Sequence, residues 1–319
     1  MRFISCSKMA VGSNQSYALK LDFGAHYSIF LPFGRIIIFM LRQKWGSVVC
    51  PSCKNLVGVN DEKCFTCGRW NPGLWGFAPL LNRLGRDLGF TQFVIGACVT
   101  LYIFTLITDI NGIRNTGFLN FLSPSGESLF LFGASGWRPV FLGGRWWTFL
   151  TAGWLHASAL HILFNMMWVR QLAPPTSELY GASRMVIIYT IAGITGFAAS
   201  TLVGAFVPAL GGAGFTVGAS APIFGLLGAL FYYGRRTGSS MVSSQAKSMA
   251  LTLFIFGFIM PGVDNWAHAG GFAGGYAASQ FLDPLRPERL DHLVLALVCL
   301  TATGIAILFS IVHGLQFLS

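Results

Sequence analysis

The chain has 319 residues, of which 54% are hydrophobic and only 10% charged, with a mean hydropathy of +0.62. A soluble protein carries about a quarter charged residues, so this composition excludes a water-soluble globular enzyme and predicts an all-α polytopic membrane protein. The net charge of +10 comes without a basic cluster interleaved with aromatics, which argues against nucleic acid as a partner. The charges fall in short gaps between apolar runs, the pattern of loops beside a membrane.

Residues 1–44 differ in character from the rest of the chain. The stretch YSIFLPFGRIIIFM is too short and interrupted to span a hydrocarbon core of ~30 Å, and no small-residue cleavage site comes after it. We read 1–44 as an N-terminal extension, either disordered or placed ahead of the true start, with translation beginning at Met40.

Residues 45–75 hold CPSC at 50–53 and CFTC at 64–67. Two C-x-x-C pairs present four thiolates, the ligand set of a tetrahedral structural zinc site. About thirty residues bury too little core to fold without such a staple. Cys50, Cys53, Cys64 and Cys67 are therefore expected to hold Zn2+ in a zinc-ribbon-like module, with a pair of disulfides as the alternative. Four thiolates leave no open position for catalysis. Cys98 and Cys299 lie inside apolar runs and suit buried small hydrophobes.

Seven apolar segments come next, near Phe90–Ile110, Thr148–Gln171, Met185–Val207, Phe215–Tyr233, Lys247–Met260, Trp266–Phe281 and Leu293–Phe317. The fifth and sixth are short against the ~20 residues of a full crossing. The connection 111–147 is rich in Phe, Trp and Gly, and is expected to lie in the membrane interface rather than to form an eighth span. With the cysteine module cytosolic, Arg69, Arg83, Arg86, Arg170, Arg184, Arg235, Arg236, Lys247, Arg286 and Arg289 fall inside, against Arg114, Arg138 and Arg145 outside. That asymmetry puts the N-terminus in and the C-terminus out and keeps the thiols in a reducing compartment.

Polar side chains within spans are costly and mark functional sites by default. The second span places His156, His161 and Asn165 within ten residues, the fourth holds Ser220, and the sixth holds His268. His161 and Asn165 are four apart and share a helical face, from which both can donate toward one point, as a developing oxyanion requires. Packing residues bonded to neighbouring backbone would also explain them. His156, five residues earlier, is expected about 140° round the same helix. The three spans run in one direction, so these groups share a depth below the outer surface. Gly218, Ala219, Ala221, Gly225 and Gly228 facing Ala267, Gly271 and Gly275 form a small-residue seam. Such a seam brings backbones close enough for a ~3 Å bond from Ser220 to His268, the base that a weakly nucleophilic serine needs. No third member is evident; Asp264 fits better as a carboxylate at a helix start.

Gly-Ala-Ser at 218–220, AHAGGFAGG at 267–275 and HASALHILFN at 156–165 together resemble the motifs of the rhomboid intramembrane serine proteases. The resemblance covers roughly residues 90–282. It implies a six-helix protease core at 90–282 with an added seventh transmembrane helix at 292–317. It implies Ser220 and His268 as the dyad, and His161, Asn165 and the Ser220 amide as the oxyanion hole, with His156, Gly218 and Phe224 in support. No catalytic cofactor is implied. The implied substrates are transmembrane segments of other proteins, met in the lipid bilayer. We expect a bacterial inner membrane, with the active site opening to its outer face. Three positions depart from the family pattern: Ala221 replaces a glycine, Phe224 a tyrosine, and Thr148 the arginine after Trp147, whose anchoring role is either missing or supplied by Arg145. A non-catalytic rhomboid-like binder of transmembrane helices is the alternative. A transporter or channel would carry charges along a path, and none lies below the histidine layer.

Overall fold

Backbone polar groups in a bilayer must be satisfied within their own segment, so long apolar runs become helices. The computed structural model describes residues 42–53, 55–79, 85 and 87–316. The Met40 start, residues 1–41 of the extension, Arg83 and Arg86 lie outside the described residues.

The cysteine module opens with a hairpin, β1 (Ser47–Val49) and β2 (Leu56–Gly58), paired antiparallel with Val48 opposite Val57. Then come α1 (Phe90–Thr108), a hairpin of β3 (Arg114–Thr116) and β4 (Asn120–Ser123), and the short helices α2 (Gly126–Phe132) and α3 (Thr148–Thr151). The long helices α4 (Ala159–Tyr180), α5 (Ala182–Phe206), α6 (Ser220–Thr237), α7 (Ser240–Ile259), α8 (Asn265–Phe281) and α9 (Leu290–Leu315) complete the chain. The protein is an all-α polytopic membrane protein.

Three predicted spans begin elsewhere than expected. Thr148–Gln171 is broken: α3 ends in a tight turn at Ala152–Trp154, and α4 starts only at Ala159. The cause is Ser158, which is extended and whose hydroxyl accepts the His161 N–H at 3.3 Å, capping the new helix. His156 thus precedes α4, and its expected place on that helix is corrected. The fourth span starts at Ser220 rather than Phe215, because Ser135 and Thr216 pair as a β-bridge and Gly218 adopts φ +131°. The seemingly short fifth run is a 20-residue helix, its serines forming a first turn capped by Ser239.

The connection 111–147 contains the β3–β4 hairpin and α2 and no long helix. Ser125 caps α2 by accepting the Ser128 N–H, and Leu129, Leu131 and Phe132 are buried.

α1, α5, α7 and α9 have the length and apolarity of membrane spans. α1, α7 and α9 bury only 33%, 17% and 22% of those windows, whereas α5 buries 56%. The first three present the lipid face, and α5 sits inside. α8 packs between α5 and α6. Its Gly271 and Gly275 press on the α6 backbone at Ala221 and Gly225, while Gly270 and Gly274 lie against Thr195 of α5. A side chain at either face would force two helices apart. Gly275→Val is therefore expected to destabilise the fold by about 1–3 kcal/mol. Gly304→Ala in α9, where nothing lies within 4 Å of an added Cβ, should be neutral or stabilising by up to ~1 kcal/mol. Thermal unfolding in detergent distinguishes the two.

Candidate active site

Three helix N-termini converge on the polar residues. His161 is the third residue of α4, Ser220 the first of α6 and His268 the fourth of α8. Each N-terminus carries unpaired N–H groups and the positive end of its dipole, so developing negative charge is favoured where they meet.

His161 and Asn165 are aimed by local bonds. His161 Nδ1 accepts the Ala157 backbone N–H at 3.3 Å, which leaves the proton of the neutral ring on Nε2. Asn165 is buried and its Nδ2 donates one hydrogen to His161 O at 2.9 Å, keeping the second. A Cβ on Gly218 would meet His161 Nε2 at 2.6 Å and Asn165 Nδ2 at 3.8 Å. Both donors therefore close on the peptide just ahead of Ser220, where only a glycine fits. Gly218 N donates to Ala152 O at 2.9 Å, fixing that turn. His156 is fully buried with its ring 5.2 Å from that of His161, so it packs behind the donor.

On the other side of Ser220, Phe224 lies one turn along α6 and stacks on His268, ring centroids 4.2 Å apart and planes at 14°. No hydrogen bond links Ser220 to His268 among the described residues; they stand on facing helices. His268 Nδ1 is 3.2 Å from Asn265 Oδ1. An amide oxygen only accepts, so this contact puts the ring proton on Nδ1 and leaves Nε2 as the free base. Asn265 is the residue that sequence reasoning missed. Its signal was its place three residues before His268, on the same helical face. Asp264 instead caps α8, its Oδ1 accepting the Ala267 N–H at 3.0 Å, as its position at a helix start suggested.

In the N-terminal module the Sγ atoms of Cys50, Cys53, Cys64 and Cys67 lie within 4.8 Å of one another, and the thiols are free. Cys50–Cys67 and Cys53–Cys64 are 3.8 and 3.5 Å apart. Those separations rule out the disulfide alternative, whose S–S length is ~2.05 Å. They match the ~3.8 Å edge of a tetrahedron with metal–sulfur bonds of ~2.3 Å. Burial pushes the Cys67 thiol up to about 12, whereas the backbone N–H of Cys67 lowers Cys64 to about 6.

The Rhomboid domain family matches residues 143–284. "Rhomboid protease GluP" of Bacillus subtilis (strain 168) is 30% identical over 195 residues, covering 60% of this chain and 37% of the relative. "RHOMBOID-like protein 6, mitochondrial" of Arabidopsis thaliana is 33% identical over 173 residues, 53% of each chain. "Putative rhomboid protease YdcA" of Bacillus subtilis (strain 168) is 30% identical over 164 residues, 48% of this chain and 78% of the relative. The match thus spans 37% and 53% of the first two relatives.

Gly218→Ala is expected to combine a strained positive φ, costing about 1–3 kcal/mol, with displacement of the His161 ring. The imidazole nitrogen shifts of His161 should move in the variant, and its unfolding temperature should fall.

Proposed function

The chain belongs to the rhomboid family, and we propose that it is an intramembrane serine endopeptidase cleaving transmembrane segments of other membrane proteins through a Ser220–His268 dyad. The observation that carries this reading is the convergence of His161 Nε2 and Asn165 Nδ2 on the turn that presents Ser220. Ser220 Oγ attacks the scissile carbonyl carbon as its proton passes to His268 Nε2. The resulting oxyanion accepts hydrogen bonds from His161 Nε2–H, Asn165 Nδ2–H and the Ser220 N–H. Protonated His268 then donates to the leaving amine, and a water deprotonated by the same ring releases the acyl group. Asn265 Oδ1 holds the other ring proton on Nδ1 throughout, so Nε2 is the nitrogen that takes up and gives back the proton, and Phe224 supports the ring face.

Cys50, Cys53, Cys64 and Cys67 would hold a structural Zn2+ that takes no part in the reaction. The module is tied to the membrane helices: Arg69 donates to Ser52 Oγ at 2.7 Å, and Ser52 donates to Glu288 O at 3.0 Å. We place the module in the cytosol of a bacterium, with the active site opening to the outer face of the inner membrane. Arg145 and Arg184 are buried rather than loop charges; without them the asymmetry is nine cations inside against two outside, which still supports that orientation.

Purified protein should cleave a transmembrane substrate in detergent or vesicles, and Ser220→Ala should not. A fluorophosphonate should label the wild type at Ser220. His161→Ala and Asn165→Ala should each lower kcat by about 100- to 1,000-fold. A wild type that neither cleaves nor labels would overturn the protease reading and favour a non-catalytic helix binder. Elemental analysis should find one zinc per chain, lost when Cys53 and Cys64 are both replaced by serine.

A further inference from the structure

Arg145 is the largest fully buried side chain among the described residues, and no carboxylate there pairs with it. A buried charge without an opposite charge beside it is costly and calls for a reason. Its guanidinium donates from Nη1 to Phe130 O at 2.5 Å and from Nη2 to Ser310 O at 3.0 Å, and lies 4.0 Å over the Phe130 ring. Phe130 belongs to α2 and Ser310 to α9, so the arginine joins the connection 111–147 to the last helix. Trp147 makes a second tie: its Nε1 donates to Ser310 Oγ at 2.8 Å, and its ring packs on Phe309 with centroids 4.5 Å apart. One residue of α9 thus receives both ties.

From this clamp hydrogen bonds run to the segment that precedes Ser220. The Thr148 hydroxyl lies 2.7 Å from Arg145 O and 3.1 Å from Ser135 Oγ. Ser135 N donates to Thr216 O at 3.0 Å, and Thr216 N donates to Ser135 O at 2.8 Å. Trp137 N donates to Ala213 O at 3.2 Å, and Gly218 N to Ala152 O. The segment 213–218 has no helix of its own in which to pair its backbone. It is held by residues 135–138, by Ala152 and by Ser200 of α5, whose hydroxyl accepts the Ala213 N–H at 3.2 Å; the first two of these the Arg145–Trp147–Ser310 clamp holds in turn.

We infer that α9 is a positioning element of the active site: Ser310 fixes Arg145 and Trp147, and through them the turn that presents Gly218 and the Ser220 amide. α9 packs on α5, α2 and α3, so it acts through these contacts rather than by touching a reacting group. For turnover, this role presupposes the proposed protease; for the ordering of the segment, it does not.

Hydrogen exchange on the full chain in lipid nanodiscs tests the inference with Ser310→Ala, Trp147→Phe and the double variant. The amides of Ser135, Thr216 and Gly218 should exchange about tenfold faster in each single variant, with α5 and α8 amides unchanged. The double variant should be no faster than either single one, because both remove the same bond. Per fluorophosphonate-titrated site, kcat should fall about fivefold with KM unchanged. Unchanged exchange at these three amides, or uniformly faster exchange across all helices, would overturn the inference. So would local loosening with kcat per titrated site intact. A wild type that does not label at Ser220 would overturn the protease reading instead, and the exchange pattern alone would then decide the clamp.

Discussion

The contact between α6 and α8 is the constraint on which the rest of this molecule depends. A serine and a histidine on separate helices can share a proton only if the two backbones nearly touch. Gly271 and Gly275 let α8 do so at Ala221 and Gly225. Glycine weakens a helix by up to ~1 kcal/mol per residue, and α8 carries four of them between residues 270 and 275. The helix therefore relies on its neighbours. It is wedged between α5 and α6, and Asp264 caps its start. The other two helices that carry polar groups, α4 and α6, are long enough but lack the apolar composition of an independent span. The apolar α1, α7 and α9 face outward around them.

Convergence of three helix N-termini then gives this contact its chemical direction. Donors that would be orphans at the end of a single helix here surround one small volume. His161 and Asn165 add two side-chain donors whose orientation is fixed by the Ala157 N–H and the His161 carbonyl. In the proposed reaction little reorganisation is left for these donors, and such preorganisation is what makes electrostatic stabilisation effective.

Much of this was legible in the residues alone because polar groups in an apolar chain are few. Ser220, His268 and the i, i+4 pair of His161 and Asn165 stand out against their surroundings, and the C-x-x-C spacing stands out for the same reason. What remained hidden depended on conformation rather than on residue type. Hydropathy runs smoothly through Ser158, so the break that sets His156 outside α4 is visible only in the cap. Asn265 looks like a boundary residue until its amide is seen against His268. Arg145 counts as a loop charge in any tally of sequence, whereas its burial rests on carbonyl groups of α2 and α9, separated from it by 15 and 165 positions.

Ala221 stands where the family pattern has a glycine, and its added methyl group has a definite destination. A Cβ built on Gly196 of α5 would lie 2.6 Å from Ala267 O and 2.7 Å from the Ala221 Cβ, so the Ala221 methyl occupies space that the glycine at 196 leaves open. The carbonyl of Ala221 meanwhile faces Gly271 of α8. The extra carbon is absorbed on the flank toward α5, away from the donors that His161 and Asn165 aim at Gly218. The departure at 221 is thus a matter of space between two helices, met by the glycine at 196.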